Sequence, residues 1–131
     1  MSSFHSIINS VKEFHEVFGL DYEESPRADI DMRMIELRLR LMAEENDEYL
    51  EAAKNNDLVQ IADALGDKLY ILCGTIIAHG LQHKIVEVFE EIHRSNMSKL
   101  DEKGEPIFRE DGKILKSSLY FKPDIKKILE E

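Results

Sequence analysis

The sequence is poor in the residues and patterns that mark several other classes of protein. It contains one cysteine, Cys73, so no internal disulfide can form, and this suits a reducing cytoplasm. The longest apolar run, residues 69–78, is too short to cross a bilayer, and the N-terminus has no basic region followed by an apolar stretch. We therefore expect a cytoplasmic protein without a membrane partner.

Basic residues are also scarce, since 17 lysines and arginines stand against 27 aspartates and glutamates and the formal net charge is -10. No dense cluster of basic residues interrupts this acidic excess. Such a chain repels a polyanion, so we expect no nucleic-acid partner. A small phosphate ester that binds through a metal ion stays compatible with the charge.

The 131 residues, of which 43% are hydrophobic, suffice for one core, so we expect a single all-α domain over residues 1–131. Apolar residues that recur at three- and four-residue steps predict a four-helix-bundle-like core over about residues 3–99. The predicted helices cover residues 3–18, 31–54, 58–79 and 82–98. In residues 100–131, two short runs around Gly112 predict a small β-hairpin, and Pro123 opens a short last helix.

The second predicted helix carries acidic residues where its periodicity calls for apolar ones. The core-facing row that begins at Met34 continues, in steps of three and four residues, onto Glu44 or Glu45 and then onto Glu48. Two carboxylates about 4 Å apart on a packed surface cost roughly 4 kcal/mol at an effective dielectric near 20. These side chains therefore need a positive partner.

The third predicted helix has a second acidic row, on which Asp63 and Asp67 lie one turn apart. Neither row contains a lysine or an arginine. A hard divalent cation such as Mg²⁺ prefers carboxylate oxygens and retained waters, so the two rows predict a metal site. The alternative that the pattern leaves open is a solvated acidic helix face.

From Leu69 to Ala78 the third helix is apolar or small on every side. A helix without a polar face is buried all round, and in a bundle of this size the simplest cover for its outer side is a second subunit. Gly74 would permit the close approach of that subunit. We therefore expect a homodimer, or a dimer of dimers.

Two aromatic segments offer contacts to a ligand. Phe14, His15 and Phe18 on the first helix either pack in the core or line a base pocket. The tail from Lys116 to Lys122, which includes Tyr120, either closes over a nucleotide or covers apolar surface as a docked strap.

Taken together, the acidic residues resemble a motif of a known group of enzymes. Glu44-Glu45-x-x-Glu48 matches the first half of a motif that reads EExxE, a gap, and ExxD, and Asp67 matches its last residue. The chain thus resembles the all-α nucleoside triphosphate pyrophosphohydrolases, the MazG and phosphoribosyl-ATP pyrophosphohydrolase-like group. It departs from the motif at Ala64, where the family has a glutamate.

The resemblance implies a MazG-type helical fold and Mg²⁺-dependent cleavage between the α- and β-phosphates of a nucleotide, with Mn²⁺ as a possible substitute. It makes Glu45, Glu48 and Asp67 metal ligands, with Asp63 as a displaced fourth. Glu44 would orient or deprotonate the attacking water, beside the catalytic glutamates 45 and 48. No Ser, Cys or His nucleophile is then needed.

The resemblance implies that Asn96 and Lys99 lie near the substrate. In the tail, we expect substrate contacts from Lys116, Tyr120 and Lys122, because they offer positive charge and a ring for stacking. Asn96 and Lys99 are equally compatible with capping the fourth helix and complementing its dipole.

Two other functions were weighed against hydrolysis. A ferritin-like di-iron bundle needs two Glu-x-x-His pairs, and only Glu90-x-x-His93 is present. A non-catalytic dimeric helical module that binds a nucleotide or a partner stays open, because Ala64 lacks the family carboxylate.

Overall fold

The computed structural model describes residues 3–131 and shows a mostly helical chain with a small hairpin, as predicted. The chain divides into two compact units, of which the first ends at His83 and the second comprises Lys84–Glu131. Within the described residues the elements are α1 (Phe4–Phe18), α2 (Met32–Lys54), α3 (Leu58–Ala78), α4 (Ile85–Met97), β1 (Ile107–Phe108), β2 (Ile114–Leu115) and α5 (Ile125–Glu130). The prediction of one domain stays a prediction.

The ends of the first three helices follow local sequence signals. Asp31 caps α2 by accepting a hydrogen bond from a backbone N–H at 2.8 Å, and Asp57 caps α3 in the same way at 3.1 Å. Gly19 ends α1 in the left-handed conformation, with φ of 69°. These residues place the turns on either side of α2, and so they determine which parts of α2 and α3 meet.

The predicted start of the fourth helix at Gln82 is wrong, since α4 begins at Ile85. Gln82 is buried in the first unit, and its amide donates a hydrogen bond to the carbonyl oxygen of Glu23 at 2.8 Å. That contact holds the chain in a turn through residues 82–84 and delays the helix.

In the first unit, α3 packs against both α1 and α2. Its buried side chains include Cys73, Ile76 and Ile77, which meet Ile8 and Val11 of α1 in one core. These apolar residues of α3 are thus covered by their own chain, and the predicted second subunit on the outer side of the helix stays a prediction. The outer side of the helix still exposes several leucines.

Gly74 was also interpreted wrongly as a point of contact for a second subunit. A Cβ atom at Gly74 would lie 3.0 Å from Cζ of Arg38 and 3.2 Å from Nε2 of His15, and it would collide with Nη2 of Arg38. The missing side chain makes room for α2 and α1 of the same chain.

In the second unit, β1 and β2 pair antiparallel with Ile107 opposite Leu115 and Phe108 opposite Ile114. The turn between them is closed by hydrogen bonds between Arg109 and Lys113 and between Gly112 and Arg109. The hairpin and the short helix α5, which starts after its cap Asp124, agree with the prediction. No helix within residues 3–131 is long and apolar enough to cross a membrane.

Candidate metal centre

The antiparallel packing of α2 and α3 brings the two acidic rows together. Arg38 near the start of α2 bonds to Thr75 late in α3, whereas Asn46 further along α2 bonds to Lys68 earlier in α3. The contacts therefore run in opposite directions along the two helices. This arrangement places Glu45 and Glu48, one turn apart on α2, opposite Asp67 on α3.

One carboxylate oxygen from each of Glu45, Glu48 and Asp67 lies within 4.8 Å of the others, and we call these three residues the carboxylate cluster. Glu45 is half-buried, and its Oε2 atom is buried without a hydrogen-bond partner among residues 3–131. A buried acceptor without a donor is costly. Three hard oxygen ligands and one unsatisfied acceptor fit a divalent cation.

The expectation that both acidic rows face packed surface holds for Glu45 alone. Glu48, Asp63 and Asp67 are exposed in the described chain. Glu48 and Asp63 line an open hollow of about 370 Å³ beside the cluster, so water reaches them. The cluster therefore has a buried side at Glu45 and an open side on which a substrate has room.

The environment of Glu45 disfavours its negative charge. Loss of hydration is the largest cause, followed by the neighbouring carboxyl group of Glu48 and the charges of Asp67 and Asp63, and together they raise the pKa of Glu45 to about 7. Without a cation, the cluster therefore holds a proton close to neutral pH.

No cation of residues 3–131 forms an ion pair with the carboxylate cluster. Lys68 follows Asp67 directly, but its ammonium group donates to the side-chain oxygen of Asn46. The repulsion within the cluster is thus left without a positive partner from the described part of the chain.

Two further predicted residues lie beside the cluster but outside its 4.8 Å group. Asp63 lines the hollow with Glu48 and Ala64, and its charge contributes to the raised pKa of Glu45. Glu44 is exposed and lies four residues before Glu48 on the same side of α2. The roles predicted for both residues stay predictions.

The predicted substrate residues all lie in the second unit. Asn96 is exposed near the end of α4, where its backbone carbonyl accepts a hydrogen bond from the N–H of Lys99 at 3.2 Å. The ammonium group of Lys116 lies 4.7 Å from the centre of the Tyr120 ring and covers one of its faces, while Lys122 is exposed. Tyr120 itself is half-buried.

The tail is fastened to α4 near these residues. Ser95 donates a hydrogen bond to the carbonyl oxygen of Phe121 at 2.8 Å, and the N–H of Phe121 donates to the hydroxyl oxygen of Ser98 at 3.1 Å. The N–H of Asp124 adds a bond to Glu91 at 2.7 Å. These bonds favour the strap over the closing lid in the described structure.

Sequence reasoning missed Arg38, which is buried on the inner side of α2. It named Phe14 and Phe18 as candidates for a base pocket but did not foresee their contact with α3. Tyr70, one turn from Asp67, lies 5.7 Å from Phe14, measured between ring centres, and Phe14 lies 4.4 Å from Phe18. His15, a candidate for the same base pocket, is buried.

A helical fold that gathers carboxylates without a positive partner among residues 3–131 is compatible with a hydrolase in which a bound metal would act on phosphate groups. The chain belongs to the phosphoribosyl-ATP pyrophosphohydrolase family, which it matches over residues 11–96. It is therefore a nucleotide pyrophosphohydrolase, a hydrolase that acts on phosphoric anhydrides, and the resemblance inferred from its motif is confirmed.

Solved structures agree with this assignment. Among 24 matching chains is the crystal structure of a candidate NTP pyrophosphohydrolase from Exiguobacterium sp. 255-15, with 25% sequence identity and a TM-score of 0.53. The match covers 95% of this chain and 94% of that one. A comparison with curated proteins gives no significant match.

Proposed function

We propose that the chain is a Mg²⁺-dependent enzyme that cleaves a nucleoside or deoxynucleoside triphosphate, or a related nucleotide, to a monophosphate and pyrophosphate. Its role would be to clear surplus or non-standard nucleotides from the cytoplasmic pool. The observation that carries the metal dependence is the carboxylate cluster, with its buried, unpartnered Oε2 atom of Glu45. Mn²⁺ would substitute, because it accepts the same hard oxygen ligands.

In this proposal Glu45, Glu48 and Asp67 hold the ion, and Asp63 contributes directly or through water. The bound ion would supply positive charge to the phosphate oxygens and acidity to water. Glu44 orients the attacking water and accepts its proton. Water adds to the α-phosphorus, the bond from that phosphorus to the bridging oxygen breaks, and pyrophosphate leaves.

Two sets of side chains support a nucleotide as the substrate. Phe14, Phe18 and Tyr70 form a partly exposed aromatic surface one turn from Asp67, which suits stacking with a base. The proposed contacts to phosphate and sugar, chosen for their charged, amide and aromatic groups, are Asn96, Lys99, Lys116, Tyr120 and Lys122. The net charge of -10 favours a ligand held through metal over a nucleic acid or an anionic membrane.

The direct test is pyrophosphate release from a panel of nucleotides, including dUTP, dCTP and phosphoribosyl-ATP, with Mg²⁺, with Mn²⁺ and with excess EDTA. We expect release from a subset of the panel with either ion and loss of at least about 100-fold in EDTA, because nothing else in the cluster neutralises the phosphates. Full activity in excess EDTA would rule out the metal mechanism.

A non-catalytic nucleotide-binding module is the second candidate. It is favoured by one observation, the buried Ala64 at the place of the family glutamate. Nucleotides that bind in the presence of Mg²⁺, as measured by calorimetry, without any release of pyrophosphate would support this function over hydrolysis.

We further propose that the chain forms a homodimer through the outer side of α3, alone or as half of a dimer of dimers. Leu58, Leu65, Leu69 and Leu72 are exposed there at steps of seven, four and three residues, which place them on one side of the helix. Leu69→Glu should shift the mass in light scattering from dimer to monomer, since it inserts a charge into that side. The control Val17→Glu, at a 72% exposed position of α1, should leave the dimer intact, and a stable wild-type monomer at micromolar concentration would refute the proposal.

A further inference from the structure

Arg38 is a buried cation without a carboxylate partner. It is 7% exposed, its Nε donates to Oγ1 of Thr75 at 3.1 Å, and its Nη2 donates to the carbonyl oxygen of Ile71 at 2.7 Å. Both acceptors are neutral, and Arg38 forms no ion pair among residues 3–131. Burying a charged group in this way costs free energy, so its retention calls for a function other than stability.

The two hydrogen bonds fix the position of α2 on α3. A guanidinium group is planar and its N–H groups point in fixed directions. Two acceptors one turn apart on α3 therefore determine both where the group lies along that helix and how it is rotated. One of them is a backbone carbonyl inside α3, which cannot turn away as a side chain can. Because Arg38 itself belongs to α2, its two hydrogen bonds to α3 fix the register of the two helices.

Arg38 and Gly74 lie on the same sides of α2 and α3 as the residues of the carboxylate cluster. Arg38 precedes Glu45 by seven residues, and Gly74 follows Asp67 by seven. Seven residues are almost two full turns, or about 10 Å along a helix. Any slip of α2 along α3 at Arg38 is therefore passed by the rigid helices to the cluster.

Gly74 provides the space for the guanidinium group of Arg38. A Cβ atom there would collide with Nη2 of Arg38 and lie 3.0 Å from its Cζ. Gly66 offers a contrast on the same helix, since a Cβ atom at Gly66 would meet nothing within 4 Å. Alanine at position 74 should displace Arg38, whereas alanine at position 66 should not. A comparison of the two variants thus distinguishes displacement of Arg38 from the general effect of an alanine in α3.

We propose that Arg38, which packs against Gly74 and donates hydrogen bonds to Ile71 and Thr75, is a positioning residue. It sets the register of α2 on α3 and so brings Glu45 and Glu48 within reach of Asp67. The inference rests on the metal role proposed for these three carboxylates. Mg²⁺ demands near-octahedral ligands at about 2.0–2.1 Å, so a shift well short of the roughly 5 Å helical pitch weakens the site.

The first test compares Gly74→Ala with Gly66→Ala in the full chain. Affinity for Mn²⁺ is measured by titration without nucleotide, at a temperature at which thermal scans show both variants to be fully folded. Gly74→Ala should weaken Mn²⁺ binding by about 10- to 100-fold, the loss typical of removing support from metal ligands, and Gly66→Ala should bind as the wild type does. A merely structural role would lower the unfolding temperature and leave the affinity of the folded chain unchanged.

A second pair decides the matter if Gly74→Ala fails to fold. Thr75→Val removes the acceptor of Arg38 Nε and should weaken Mn²⁺ binding. Thr75→Ser keeps the hydroxyl group and should bind Mn²⁺ as the wild type does. Wild-type affinity in folded Thr75→Val or Gly74→Ala chains would overturn the positioning role alone. A wild-type chain that binds no Mn²⁺ would overturn the metal proposal, and this inference with it.

Discussion

Glu48→Gln should abolish pyrophosphate release and leave the fold intact. The amide loses the negative charge that a hard cation prefers, and we expect a fall in turnover of at least about 100-fold at limiting Mg²⁺. Without metal the same change removes one charge that repels Glu45 and Asp67, whose ligand oxygens lie within 4.8 Å of that of Glu48. The metal-free variant should therefore unfold at the same temperature as the wild type or at a higher one.

Steady-state release of pyrophosphate over a range of Mg²⁺ concentrations checks the first expectation, and thermal unfolding with and without Mg²⁺ checks the second. Mg²⁺ should raise the unfolding temperature of the wild type and have little effect on the variant, since an ion stabilises only the state that binds it. Glu36→Gln, an exposed change on the same helix, serves as the control. Wild-type turnover by Glu48→Gln at limiting Mg²⁺ would exclude Glu48 as a ligand.

Most of the helical framework was predictable because its signals are local. The apolar spacing of α1 and the capping residues Asp31 and Asp57 act within one or two turns, so the sequence displays them directly. The start of α4 was missed because Gln82 is held by a carbonyl 59 residues earlier in the chain. A contact at that separation leaves no local trace.

The carboxylate cluster was predictable for the opposite reason, since its residues break a local rule. Glu45 and Glu48 occupy places on α2 where the periodicity calls for apolar side chains, and such violations tend to mark functional sites. The burial of these side chains was not predictable, since Glu45 is half-buried whereas Glu48 is exposed. Exposure depends on the open hollow beside α2, which the spacing of residues along one helix does not reveal.

Arg38 shows where reasoning from one sequence fails. An arginine on a helix is usually exposed, and its burial here needs a glycine on another helix at the matching height. Gly74 itself suggested close approach, but the sequence did not show which helix approaches. The two residues become informative only as a pair.

The side chains at positions 63 and 64 bear on how the proposed metal ion would be held. On a regular helix, a residue four before Asp67 lies about 40° to one side of it, and a residue three before lies about 60° to the other. The family places a glutamate on the second of these sides, whereas this chain has Asp63 on the first. Asp63 lies outside the 4.8 Å group but lines the hollow with Glu48, so a bridging water would connect it to the ion.

Asp63→Asn should therefore weaken Mg²⁺ affinity and turnover by about tenfold or more, the scale expected when support for a metal site is lost. Asp47→Asn, an exposed change on α2, should have no such effect. Both quantities come from the Mg²⁺ dependence of pyrophosphate release. If Asp63→Asn retains wild-type activity at limiting Mg²⁺, the ion is held by Glu45, Glu48 and Asp67 alone.

The double variant Asp63→Ala with Ala64→Glu returns the carboxylate to the family position and should restore part of the affinity and turnover lost in Asp63→Ala. Ala64 is 2% exposed, but it lines the same hollow of about 370 Å³, which offers a longer side chain a path toward Glu48. A buried glutamate without a cation is costly, so the double variant should be less stable than Asp63→Ala in EDTA and regain stability with Mg²⁺. Loss of stability in EDTA without recovery in Mg²⁺ would show that position 64 does not face the ion.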